Sequence, residues 1–339
     1  MAAIVTGIVF ALALNCAGLE QSSLLPPESL ELVLRGEEFL LNGRWDDAYR
    51  LYDELGDRSP GNPAVYLFRA AVLQAEMTDR EENIHGRRFS ASCDSTESAV
   101  RSHLRDCSAI DSALCYLFLG HQYAYRSLYE GRFGSKLAAF RNGRKARKAY
   151  AQGLRVDSTL YDLYLGLGLY HYWKSVRAGI LKTAGIFKDE RDRGLGEISL
   201  AADSACFSRT AARSALIWVM INEKRYDSAI SICRAMLEQF SQSNTFYWPL
   251  AEALFRSEQY SAAIENYSII FDRLVQSPGN YYNILECAYY LHRAYRELDR
   301  EDKAAEVSDY VRSVNDLIPA EVRRAQKDKL AAFLGRRRY

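Results

Sequence analysis

The sequence has little proline, little net charge and none of the spacings that usually carry chemistry. Seven prolines in 339 residues, with almost no alternating Val/Ile/Thr runs, argue against a β-rich fold. A formal net charge of +1 provides no whole-protein field that would recruit nucleic acid or an anionic membrane. The seven cysteines contain no C-x-x-C pair, which removes support for zinc-ribbon and thioredoxin-type chemistry. Five histidines (His85, His103, His121, His171 and His292) stand singly, so no metal site is expected. Phosphate loop, nucleophile elbow and HExxH are all missing. Carboxylates are plentiful but follow the solvent faces of helices, and no acid/base pair stands out. The expectation is a chain that is not an enzyme and has no cofactor, no metal and no nucleic-acid partner.

What is present is apolar and aromatic. Hydrophobic residues make up 48% and charged residues 26%, as in an ordinary folded protein, and 23 tyrosines dominate the aromatics. At 339 residues the chain is long for one core and suits two domains or a solenoid. The apolar run at residues 4–14 has signal-peptide length and is short for a membrane span, so residues 1–18 read as a leader. That predicts export to the periplasm or cell envelope. No Lys or Arg follows Met1, and the alternative is an apolar helix kept by a cytoplasmic protein. Cys16 is where a lipid anchor would attach and associate the N-terminus with a membrane, although Ala13, Leu14 and Asn15 match the bacterial lipobox poorly. Cys93 and Cys107 flank a predicted helix that keeps them apart. Cys107 and Cys115, across a helix–helix turn, are the better disulfide candidates in an oxidising compartment.

After a polar lead-in at residues 19–28, small residues recur where two helices would cross. First helices carry Gly36, Ala70, Gly120, Gly168, Ile217, Ala251 and His292. Second helices carry Ala48, Ala99, Ala146, Gly194, Ala229, Ala263 and Ala304. Closely packed helices need small side chains at the approach and large ones in the flanking layer. Tyr52, Tyr150 and Tyr267 supply the latter, four residues beyond Ala48, Ala146 and Ala263. The stretch at residues 161–173, with Gly166 and Gly168 among aromatics and leucines, is the fullest copy of a first helix.

This pattern resembles the tetratricopeptide repeat, a 34-residue helix–turn–helix. The resemblance covers residues 29–318 and implies an all-α solenoid of about seven repeats, with residues 319–339 as a C-terminal capping helix and basic tail. The two landmarks lie 12 residues apart in repeats one, five, six and seven, but 29, 26 and 26 apart in repeats two, three and four. The middle repeats therefore carry insertions, placed at residues 78–93, 126–135 and 175–189.

The family's first helices line a concave surface, which implies groove candidates here: His121, Tyr125, Trp173, Trp218, Trp248 and Arg256. Rigid aromatics in a groove bury large area at little entropic cost, so they suit protein or peptide partners. The implied function is a non-catalytic scaffold binding partners through that face. The alternative is a structural subunit of an envelope assembly that uses the insertions. Residues 141–148 form the strongest basic cluster, read either as a solvated helix face or as a surface for an acidic partner or phospholipid headgroup. Residues 178–187 are the apolar part of the third insertion, read as folding back onto neighbouring repeats or as a hook for a partner.

Overall fold

The computed structural model describes residue 19 and residues 21–177, 188–277 and 279–334. The leader with Cys16, the apolar segment 178–187 and the basic tail at 336–338 lie outside them. The described residues form sixteen α-helices and no strand. Fourteen make seven consecutive pairs. These are α1 (Pro27–Leu41) with α2 (Trp45–Arg58), α3 (Pro63–Arg80) with α4 (Gly86–His103), and α5 (Ala109–Phe133) with α6 (Lys136–Val156). Then come α7 (Asp162–Arg177) with α8 (Arg191–Ser204), α9 (Arg209–Asn222) with α10 (Tyr226–Gln239), α11 (Asn244–Arg256) with α12 (Tyr260–Gln276), and α13 (Tyr281–Glu297) with α14 (Glu301–Ser313). Two short helices follow, α15 (Ala320–Ala325) and α16 (Lys327–Leu334). The residues fall into two compact units. The first takes those up to 40 with 44–76 and 83–216, and the second takes 41–43, 77–82 and those from 217 on.

Five turns share one backbone device. Gly43, Glu81, Lys224, Glu258 and Asp299 all have positive φ, between 54° and 70°. In each case the next amide reaches back five residues: Arg44 to Phe39, Glu82 to Met77, Arg225 to Met220, Gln259 to Leu254 and Arg300 to Tyr295, at 2.8–3.2 Å. This is the Schellman closure, which satisfies carbonyls that a helix end otherwise leaves open. Four of the five lie in the pairs whose landmarks are 12 residues apart, and the fifth, at Glu81, ends α3.

The middle pairs use their extra residues differently from loops. Helix α5 runs 25 residues and α6 runs 21, joined only by Gly134 and Ser135, whereas α2 and α10 have 14 each. Ser135 caps α6 by accepting from the Ala138 amide. The stretches read as insertions at 78–93 and 126–135 are therefore mostly added helical turns, and those turns have partners. The Phe89 ring on α4 lies 5.1 Å from Tyr129 on α5, and Arg126 pairs with Asp94 at 2.5 Å.

Two glycines decide how closely α7 and α8 approach. A Cβ on Gly168 would stand 2.7 Å from the Gly194 carbonyl, and one on Gly194 would stand 2.6 Å from the Tyr172 amide nitrogen. Backbone here meets backbone. Elsewhere the crossing is filled by a ring: Tyr150 lies where side chains on Gly120 and Gly166 would go.

Three sequence expectations are corrected. The lead-in at residues 19–28 is not a polar approach to the first helix: Leu24 and Leu25 are 2% and 0% exposed in the core of the first unit. Ser22 and Ser23 donate their hydroxyls to Asp111 at 2.6 and 2.7 Å, which makes burial of this segment affordable. Cys107 and Cys115 are not bridged. Cys107 stays in the connection before α5, while Cys115 sits nearly two turns inside the helix, buried as a free thiol. Cys93 lies within α4 and does not flank it.

Candidate functional site

In the first unit, polar side chains from six segments converge on an aromatic interior. Tyr150, on α6, puts its hydroxyl 2.8 Å from His121 Nδ1 on α5, and His121 Nε2 lies 3.5 Å from Ser208 Oγ. Burial pushes the His121 imidazole down to about 4, so it is neutral at physiological pH. The neutral ring carries one hydrogen, so one of its nitrogens donates and the other accepts across these two hydroxyl contacts. The Tyr125 ring lies 6.1 Å from His121. Burial raises the Tyr52 and Tyr125 hydroxyls, and Glu37, on α1, adds to both shifts; its own carboxyl is pushed up to about 8 by burial, with Asp162 adding to the shift. Glu37, His121 and Tyr125 each keep part of their surface open.

Asp162 organises this region from the first turn of α7. Its carboxylate accepts the amides of Cys206, Phe207 and Ser208 at 3.0, 3.1 and 2.6 Å. Burial still raises it above the usual carboxylate range despite those donors. Asp111 is its counterpart on α5. Burial pushes it upward too, but the hydroxyls of Ser22, Ser23 and Ser108 outweigh that and hold it low. Glu37, Asp111 and Asp162 contradict the reading that carboxylates keep to solvent faces. Asp111 and Asp162 share one discernible signal, an acid three or fewer positions into a first helix, where a helix start normally takes an anion.

The six groove candidates divide between the units. His121 and Tyr125 belong to the interior just described, and Trp173 is half-buried edge-on against Tyr172 at 5.1 Å. In the second unit Trp218 is 38% exposed on α9. Trp248 packs edge-on to Tyr267, which stacks at 5° on Tyr290. Arg256, exposed, pairs with Glu252 at 2.5 Å. The terminal helix α16 reaches the same group: Lys329 lies 5.5 Å from the Tyr290 ring and bonds Glu286, which also takes Gln326 at 2.8 Å.

Two further surfaces lie on the enlarged pairs of the first unit. Leu128, Leu137 and Phe140, near the α5–α6 turn, are 62%, 64% and 57% exposed. A cleft of about 490 Å³ opens between α6 and α7, bordered by Arg144, Arg147, Tyr170 and Lys174.

Among the described residues, no three of His, Cys, Asp and Glu gather as a metal site would need, and no helix is long and apolar enough to cross a membrane. No family model and no curated protein matches the sequence. Solved structures do. The APC/C hetero-tetramer Cut9-Hcn1 is similar at 16% identity and a TM-score of 0.53, over 94% of this chain and 54% of that one. The chain thus spans about half the length of that relative. The C-terminal part of a TPR repeat-containing protein from Cytophaga hutchinsonii is similar at 15% identity and a TM-score of 0.42, over 88% of this chain and 99% of that one.

Proposed function

We propose, from the tetratricopeptide-repeat fold that the chain has, that it is a non-catalytic scaffold binding protein segments through the side chains of its first helices. One observation carries this reading. Trp218, a large aromatic on a first helix, is left 38% exposed. Exposed rigid aromatics are the usual anchors of binding surfaces. Arg256 and half-buried Trp248 extend the same kind of surface on α11. The leader-like residues 1–18 motivate placing this activity in a bacterial cell envelope, and mass measurement of the mature N-terminus tests that part.

The test of binding is capture of partners from native cells by the full chain, compared with Trp218→Ala and Arg256→Glu variants. Loss of partners from either variant, with an unchanged melting curve, supports the first-helix surface. Retention of every partner by both counts against it.

A second reading rests on a different observation. Leu128, Leu137 and Phe140 form an exposed apolar tip on the enlarged α5–α6 pair, which suits a structural subunit of a larger envelope assembly. Replacing all three by serine should then release the complex while Trp218→Ala leaves it intact.

A further inference from the structure

We infer that the cleft between α6 and α7 is a docking site for an acidic segment of a partner protein. The inference deepens the scaffold reading and rests on it.

The first argument is charge. Helix α6 contains no Asp or Glu in its 21 residues, so none of its cations has an acidic neighbour one turn away on the same helix. Its buried face takes Ala146, Ala149 and Tyr150, which turns Arg144 and Arg147 outward. Across the cleft, Glu190 is already taken by Lys174 at 2.5 Å and by Arg193 at 3.4 Å. Glu197 is engaged by His171 at 2.6 Å and Arg193 at 2.9 Å. Among the described residues, Arg144 and Arg147 have no acidic partner. In a chain of net charge +1 this is a local excess and not a general one.

The second argument is shape. The opening is a cleft of about 490 Å³ with Leu154 and Leu167 among its apolar lining. Tyr170 lies between two cations, with the Arg147 guanidinium 5.7 Å and the Lys174 ammonium 5.9 Å from its ring. A guanidinium held over an aromatic, as that of Arg147 is, matches a carboxylate in a bidentate way. Side chains of an extended segment can enter such a cleft, whereas a bilayer surface cannot. Carboxylates meet the arginines while intervening aliphatic groups cover the leucines, which is the recognition mode of arginine clusters for acidic motifs.

The test uses the full chain and a labelled Glu/Asp-rich peptide with interspersed leucines, read by fluorescence anisotropy. Its Gln/Asn counterpart and vesicles of phosphatidylcholine with phosphatidylserine are compared in parallel. The expected result is binding of the acidic peptide only, weakened by added salt and weakened roughly tenfold or more by R144E/R147E. Arg234→Glu, an exposed reversal on α10, should leave binding unchanged. Melting curves should match, because Arg144 and Arg147 are exposed. The inference is overturned if the neutral peptide binds equally, if R234E weakens binding as much, if vesicles are bound instead, or if nothing binds. Should R144E/R147E still capture every partner from native cells, this site alone falls and the scaffold reading stands.

Discussion

The hydroxyl of Tyr150 and Nδ1 of His121 share a hydrogen bond of 2.8 Å, and the tyrosine ring fills the space that Gly120 and Gly166 leave open. One residue of a second helix thus ties down both neighbouring first helices and orients the His121 ring. Tyr150→Phe keeps the ring and removes only the hydroxyl. It should cost about 1–2 kcal/mol, the usual penalty for leaving a desolvated polar partner unpaired, read by urea denaturation. Retention of full stability would mean that water serves Nδ1 equally well.

Acid should act through His121 itself. The folded imidazole is pushed down to about 4 from 6.5, so below pH 6.5 the unfolded chain binds a proton that the folded chain refuses. The stability contributed by this group is complete above pH 6.5 and is lost as pH falls toward 4. A His121→Asn variant should flatten that part of the curve of urea midpoint against pH.

Glu37 should act with the opposite sign. Its folded carboxyl titrates near 8 against 4.5 when unfolded, so the folded state holds a proton that the unfolded state releases. Its contribution is complete below pH 4.5 and disappears as pH rises toward 8. Glu37→Gln carries that hydrogen at every pH, and it should raise the urea midpoint at pH 8 more than at pH 5. An equal effect at both values would show that Glu37 is already ionised in the folded protein.

Glycine substitutions should separate packing from propensity. Gly168→Ala and Gly194→Ala each drive a methyl into backbone of the facing helix, and each should cost about 1–3 kcal/mol or more. Gly196 lies on the same α8, exposed, with nothing near a built Cβ. There alanine should stabilise by about 0.5–1 kcal/mol through its better helix propensity. Thermal melts of the three variants make the comparison.

The turns offer the converse case. Lys224, Glu258 and Asp299 hold the backbone conformation that Gly43 holds without strain. Glycine at any of the three relieves a left-handed penalty of about 1–2 kcal/mol and gives back part of it as chain entropy. A small rise in Tm, of about 1–3 °C, is expected for Glu258→Gly.

Much of this fold was legible because repetition made it so. Small residues at fixed spacing mark where helices cross, and that alone placed all seven pairs. The added residues of the middle pairs were visible as length but not as conformation. The basic stretch of α6 has the solvent-facing pattern of any surface helix, and nothing local in it says that it continues unbroken almost to the turn. The buried carboxylates were hidden for another reason. Asp162 is buried by amides 44 to 46 residues away, and Asp111 by a segment 87 to 89 residues before it. Periodicity reports which side of a helix is wet, and it carries no information about a distant loop that will cover the helix start. His121 and Tyr125 were found because they follow Gly120. Arg144 and Arg147 were seen as a charged run, but their cleft depends on α7 standing opposite.

The lengthening of α3 to α6 has an energetic consequence for the first unit. In stacked repeats, stability is the sum of each pair's own folding and its coupling to the next. Extra turns that meet across α4 and α5, at Phe89 with Tyr129 and Asp94 with Arg126, enlarge one coupling term relative to the others. Such a stack does not melt evenly. Amide protons near this junction should exchange last, and α1 and α2 should fray while it is still intact. The enlarged pairs should therefore be the last part of the unit to lose its structure as denaturant is raised.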